Sequence, residues 1–79
     1  MATPNALAQL AASEMQSALK RHAAGDWGDV CSEDWEANDR ALVDGSRLFS
    51  VYRTTSAEKL WIITEADRSL TTLLLPEDY

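Results

Sequence analysis

Glu58-Lys59-Leu60-Trp61-Ile62-Ile63-Thr64-Glu65 carries the strongest strand signal in the chain, with aromatic and β-branched residues set between charged ends. Alternate side chains of a strand point to opposite faces, so Trp61 and Ile63 share one face and Leu60 and Ile62 the other. All four are apolar, so at least one of these faces must be buried. Two similar runs flank the segment. Arg47-Leu48-Phe49-Ser50-Val51-Tyr52-Arg53 precedes it, and Leu70 to Leu75 follows it. Thr54-Thr55-Ser56-Ala57 and Ala66-Asp67-Arg68-Ser69 read as the loops between them. Loops this short join antiparallel neighbours. Residues 46–76 therefore predict a three-stranded antiparallel meander, stopped by Pro76 and followed by the tail Glu77-Asp78-Tyr79.

Upstream the pattern changes to helix. Residues 4–24 are rich in alanine, with Leu7, Ala11, Met15, Ala18 and His22 at spacings of three and four. Thr3 can cap this helix, and Pro4 suits its first position. Lys20, Arg21 and His22 fall in its last turn, where cations suit the macrodipole, and Gly25 supplies the stop. Residues 26–32 form a connector. Ser32 reads as the cap of a second helix over 33–43, with Glu33 and Asp34 in its first turn, Trp35 and Leu42 on one face, and Gly45 at its end. The predicted fold is one α+β domain over residues 1–79: two N-terminal helices, then the meander, with the helices packed on one face.

A chain of 79 residues has room for one modest core and little for a large enclosed pocket. Its lone cysteine, Cys31, excludes an internal disulfide and suggests a reducing compartment. The start of the chain shows no secretory pattern, and the longest apolar runs fall far short of the ~20 residues of a membrane span. The expectation is a cytoplasmic protein without membrane contact.

Formal net charge is −6, from thirteen acids against seven bases. Its distribution is uneven. Residues 25–45 hold Asp26, Asp29, Glu33, Asp34, Glu36, Asp39 and Asp44 against Arg40 alone, which accounts for the whole imbalance. At about 100° per residue, Glu33, Glu36 and Arg40 fall opposite Trp35 and Leu42, with Asp39 beside the buried face. Acids at a helix start aid folding, and an acidic face aids solubility. Concentrating seven carboxylates in one stretch costs repulsion, however, and that favours a partner with a basic surface.

Signals for catalysis are weak. His22 and Cys31 are the single histidine and cysteine, nine residues apart across a helix end. They read either as a nucleophile pair or as a helix-terminal histidine and a small buried thiol. No ligand spacing suggests a metal site, and the three glycines form no phosphate loop. Glu65 and Asp67 fit a hairpin turn flanked by Arg68 as well as a carboxylate pair. Trp35 and Trp61 stand in apolar contexts and read as core. Trp27 reads either as an exposed aromatic contact for a partner or as a cover over the core. No catalytic residue, metal or cofactor is expected.

Gly25-Asp26-Trp27-Gly28, Asn38-Asp39, Trp61-Ile62-Ile63-Thr64-Glu65-Ala66-Asp67-Arg68-Ser69 and Leu75-Pro76-Glu77-Asp78-Tyr79 together resemble a family of small acidic proteins encoded on bacterial plasmids and mobile elements. The resemblance spans roughly residues 20–79. Members are often labelled as linked to a type I restriction enzyme subunit, an activity for which this chain is too short. The resemblance implies a mobile-element setting, in which small acidic proteins of the DNA-mimic type oppose host defence. The expectation is thus a monomeric anti-CRISPR inhibitor that binds no nucleic acid itself. Asp26, Asp29, Glu33, Asp34, Glu36, Asp39 and Asp44 would occupy the basic DNA-binding surface of a type I CRISPR complex subunit. The alternative is an interaction module that uses Trp27 and the sheet face.

Overall fold

A computed structural model describes residues 1–55 and 59–79. Ser56, Ala57 and Glu58, part of the expected first hairpin loop and second strand, lie outside the described residues. The architecture is α+β. Three helices, α1 (Pro4–Gln9), α2 (Ala12–Ala23) and α3 (Ser32–Asp44), precede strands β1 (Leu48–Tyr52), β2 (Leu60–Thr64) and β3 (Thr71–Leu74). A 3-10 turn at Pro76–Asp78 closes the chain. The sheet is antiparallel in the order β1-β2-β3, with Val51 opposite Trp61 and Trp61 opposite Leu74.

The alternation expected of β2 holds. Leu60 and Ile62 are fully buried and cluster with Tyr52, Leu73 and Leu75 of the sheet region and with Ala6, Leu10 and Ala18. On the opposite side Ile63 is also buried, while Trp61 is half-buried. A second cluster joins Trp27, Ala41 and Leu48, with Val30 and Trp35 against it. No helix among the described residues is long and apolar enough to cross a membrane.

Both outer edges of the sheet are occupied. An edge strand leaves N–H and C=O groups that must find partners. Along β1, the Val51 N–H donates to the Trp27 carbonyl at 3.1 Å, and the Asp29 N–H donates to the Val51 carbonyl at 2.7 Å. One step along, the Asn38 side chain substitutes for a strand: its amide donates to the Phe49 carbonyl, and its Oδ1 accepts the Phe49 N–H at 3.0 Å. Along β3, Leu73 exchanges backbone bonds with Met1 and Thr3. Gly28 makes the β1 contact possible. Its φ is +75°, and a Cβ there would sit 2.0 Å from the Val51 carbonyl oxygen.

Four expectations need correction. The helix predicted over residues 4–24 is broken at Leu10 and Ala11, both extended, and a straight one would run ~31 Å. That nearly equals the longest dimension of the molecule, 34 Å, so the chain bends to fold back on the sheet. The break also moves the buried positions. Ala6 and Leu10 are buried, whereas Leu7 is 60% exposed. Thr3 does cap α1, its Oγ1 accepting the Ala6 N–H. Second, α3 begins at Ser32, so Cys31 holds the cap position and the thiol is exposed rather than buried. Third, Leu42 is exposed at the end of α3, and the face turned inward centres on Asn38 and Ala41, with Trp35 half-buried. Fourth, of the two readings of Trp27 the exposed contact falls and the cover over the core holds, for Trp27 has no exposed surface. Its ring is core, and its indole N–H donates to Asp39 Oδ1 at 3.0 Å.

Trp27, rather than the half-buried Trp35, is the aromatic anchor of this cluster. Trp27→Ala should cost about 3–5 kcal/mol, with a clearly smaller loss for the half-buried Trp35→Ala. Denaturant titration followed by circular dichroism measures both, and equal losses would contradict the burial difference. Gly28→Ala adds one methyl group into backbone and demands a left-handed residue. It should exceed the ~1–3 kcal/mol of ordinary overpacking. An unchanged midpoint would mean that residues 27–29 do not pair with β1.

Candidate functional site

The seven acids of residues 25–45 separate into two groups. Four hold the fold. Asp26 takes the Arg21 guanidinium at 2.8 Å, accepts the Gly28 N–H, and has its carboxyl held below the ordinary range chiefly by Arg21. Asp29 pairs with Arg53 at 2.6 Å. Asp39 receives the Trp27 indole. Asp44 accepts the Ser46 hydroxyl at 2.6 Å and its N–H at 2.9 Å, turning the chain out of α3. The Ser46 bonds also lower the Asp44 pKa. Glu33, Asp34 and Glu36 are different. All three are exposed and make no ion pair among the described residues.

α3 presents this second group. Glu33, Glu36, Arg40 and Val43 share the side opposite Asn38 and Ala41, and Asp39 and Asp44 flank it. The helix spans ~16 Å from Glu33 to Asp44 at 1.5 Å per residue. Val43 is 90% exposed, an apolar residue set among charges over a shallow hollow lined by Asp39, Arg40, Val43 and Asp44. The position of Val43 was not singled out from the sequence, because a three-to-four spacing does not say which side of a short helix meets the core. The orientation is fixed from both ends. Asn38 is tied to β1, and Arg68 donates to the Ala41 carbonyl at 2.9 Å and to the Ser46 carbonyl at 2.6 Å. Arg68 itself sits in the β2–β3 turn with a positive φ of 63°. There, Asp67 accepts from Ser69 and the Glu65 backbone carbonyl accepts from the Arg68 N–H, so both residues serve the turn that the sequence suggested.

His22 and Cys31 do not form a pair. His22 is buried, and both its ring nitrogens are engaged, Nδ1 with Ser50 Oγ at 2.6 Å and Nε2 with Thr64 Oγ1 at 2.8 Å. Thr64 continues to Thr71 Oγ1 at 2.9 Å. A neutral imidazole offers one donor and one acceptor, and hydroxyls on both sides suit either tautomer. Ser50 beside His22 has the spacing of a nucleophile and base, yet Ser50 has no exposed surface. Trp27 lies edge-on to the His22 ring at 5.5 Å. This polar chain from α2 through β1 and β2 to β3 was not foreseen, because the hydroxyls stand 28 and 42 residues from the histidine. Among the described residues, no group of three or more His, Cys, Asp or Glu side chains is arranged to hold a metal.

Burial pushes the His22 pKa below its ordinary 6.5. The folded state therefore favours the neutral ring, and the unfolded state takes up the proton first. Stability from this site is complete above about pH 6.5 and is lost as pH falls below it. A thermal-unfolding series should show the loss starting well above the ordinary carboxylate value of 3.8. His22→Gln should remove that step. A profile of identical shape in the variant would place the titration elsewhere.

No known protein family, curated protein or solved structure matches the chain, so the account of α3 rests on its own geometry.

Proposed function

We propose that this chain acts by binding a protein partner through the outer face of α3, and that the partner surface is basic, of the kind that holds DNA phosphates. The observation that carries this is the division among the acids. Asp26 and Asp29 are neutralised by Arg21 and Arg53, while Glu33, Asp34 and Glu36 stay exposed on one helix with no ion pair among the described residues. The five carboxylates from Glu33 to Asp44 stand on average ~4 Å apart along the helix axis, of the same order as the ~3.4 Å per charge of one DNA strand, and Glu33 and Glu36, flanked by Asp39 and Asp44, face outward. Arg40 interrupts the series, and Val43 offers an apolar contact that no phosphate backbone has. The surface therefore combines charge mimicry with a protein-specific anchor.

In its sharpest form the reading is an acidic inhibitor of a bacterial defence system, an anti-CRISPR protein that blocks target recognition by a type I surveillance complex. The resemblance to small acidic mobile-element proteins supports that setting. The helices are read as covering one face of the sheet, which leaves α3 outermost on their side. The alternative contact through Trp27 loses its support, since that ring is buried.

The test is competition. Purified surveillance complex, its target duplex and the protein are mixed and resolved by electrophoretic mobility at two salt concentrations. The protein should displace the duplex, and more weakly at high salt. Combined Glu33→Gln, Asp34→Asn and Glu36→Gln should abolish displacement while the chain stays folded, at a cost of no more than about 1–2 kcal/mol from the lost first-turn charges of α3. Each single change should cost only about 0–1 kcal/mol. Unchanged displacement and salt dependence in the triple variant would overturn the role of α3.

A further inference from the structure

The open side of the meander carries a groove of about 240 Å³ lined by Arg47, Phe49, Trp61, Ile63 and Tyr79. Phe49 and Trp61 meet edge-to-face at 5.3 Å, and Trp61 and Tyr79 at 5.6 Å. Phe49 and Trp61 are half-buried and Tyr79 is 71% exposed, so the groove keeps aromatic surface open to solvent. The Trp61 indole N–H and the exposed Arg47 guanidinium have no partner among the described residues. The groove thus offers aromatic walls, one free N–H donor and one free cation.

Three features select the occupant. Both sheet edges are already paired, β1 by residues 27–29 and Asn38, β3 by residues 1–3, so a peptide cannot join as an extra strand. An extended ligand must then need no ladder bonds. Polyproline II segments meet that condition, because their backbone is solvated and aromatic grooves take their rings. Arg47 adds a demand for a carboxylate, while the net charge of −6 disfavours a polyanion such as single-stranded nucleic acid. We infer that the Phe49–Trp61–Tyr79 groove is a docking site for an extended, proline-containing protein segment with an acidic residue beside the prolines. The site is independent of α3 and would give the protein a second contact.

The experiment uses the full isotope-labelled chain and capped synthetic peptides: four prolines followed by two aspartates, the same with asparagines, and the same with glycines in place of the prolines. Amide and indole resonances are followed during titration. The proline–aspartate peptide should give saturable shifts at Arg47, Phe49, Ile63 and the Trp61 indole. It should bind about two- to fivefold tighter than the asparagine form. Arg47→Gln should erase that difference. Trp61→Phe, which keeps an apolar ring but removes the N–H, should weaken both proline peptides. Shifts centred on α3, equal binding of the glycine peptide, or no saturable shift at millimolar peptide would each overturn the proposal.

Discussion

The pairing of residues 27–29 with the outer edge of β1 holds the other parts of the molecule in place. A short sheet in a small domain cannot leave one edge open without inviting other chains. Here the connector closes that edge, and in doing so it drives Trp27 into the centre. From that position the ring meets His22 at the end of α2, sends its N–H to Asp39 of α3, and packs on Leu48 of β1. Gly28 is the residue that lets the two backbones come close enough, since any Cβ would strike Val51. Removing this contact would loosen α2, α3 and the sheet, leaving them joined through His22, Asn38 and Arg68.

The interior around Trp27 holds several polar side chains. Ser50, Thr64, His22 and Asn38 are all buried. Among the described residues, no buried side-chain nitrogen or oxygen lacks a partner. Hydrophobic burial alone would allow α2 and α3 to slide over an apolar sheet. A histidine held between two hydroxyls on different strands, and an asparagine matched to one peptide unit, fix the register, because any shift would strand several polar groups in the core. The same arrangement makes the core sensitive to protonation.

Fold and surface divide the acidic residues between them. Charges placed where the backbone turns or where an arginine is in reach contribute to the architecture, as at Asp26, Asp29 and Asp44. Those at the start of α3 act on the fold through the helix dipole. Exposed like charges on a helix repel, and these make no ion pair among the described residues. The aromatic side of the sheet is chemically unlike this face.

Local chemistry was legible in the sequence wherever it acts over a few residues. The three strands follow from β-branched and aromatic runs, the turn at 66–69 from Asp67 and Ser69, the end of α3 from Gly45, and the start of α1 from Thr3 and Pro4. The charge excess of residues 25–45 is likewise a property of sequence alone. Only the tertiary structure decided the rest. No glycine or proline marks the break at Leu10, which arises because the chain must fold back on the sheet. Nothing near Trp27 in sequence signals burial, since its partners are Asp39, Leu48 and Val51. Leu42 and Val43 look like core and are not, because α3 is turned by Asn38 and Arg68 rather than by its apolar residues. Propensity and capping depend on neighbours within about one helical turn, whereas burial depends on which distant group arrives first at the same point in space.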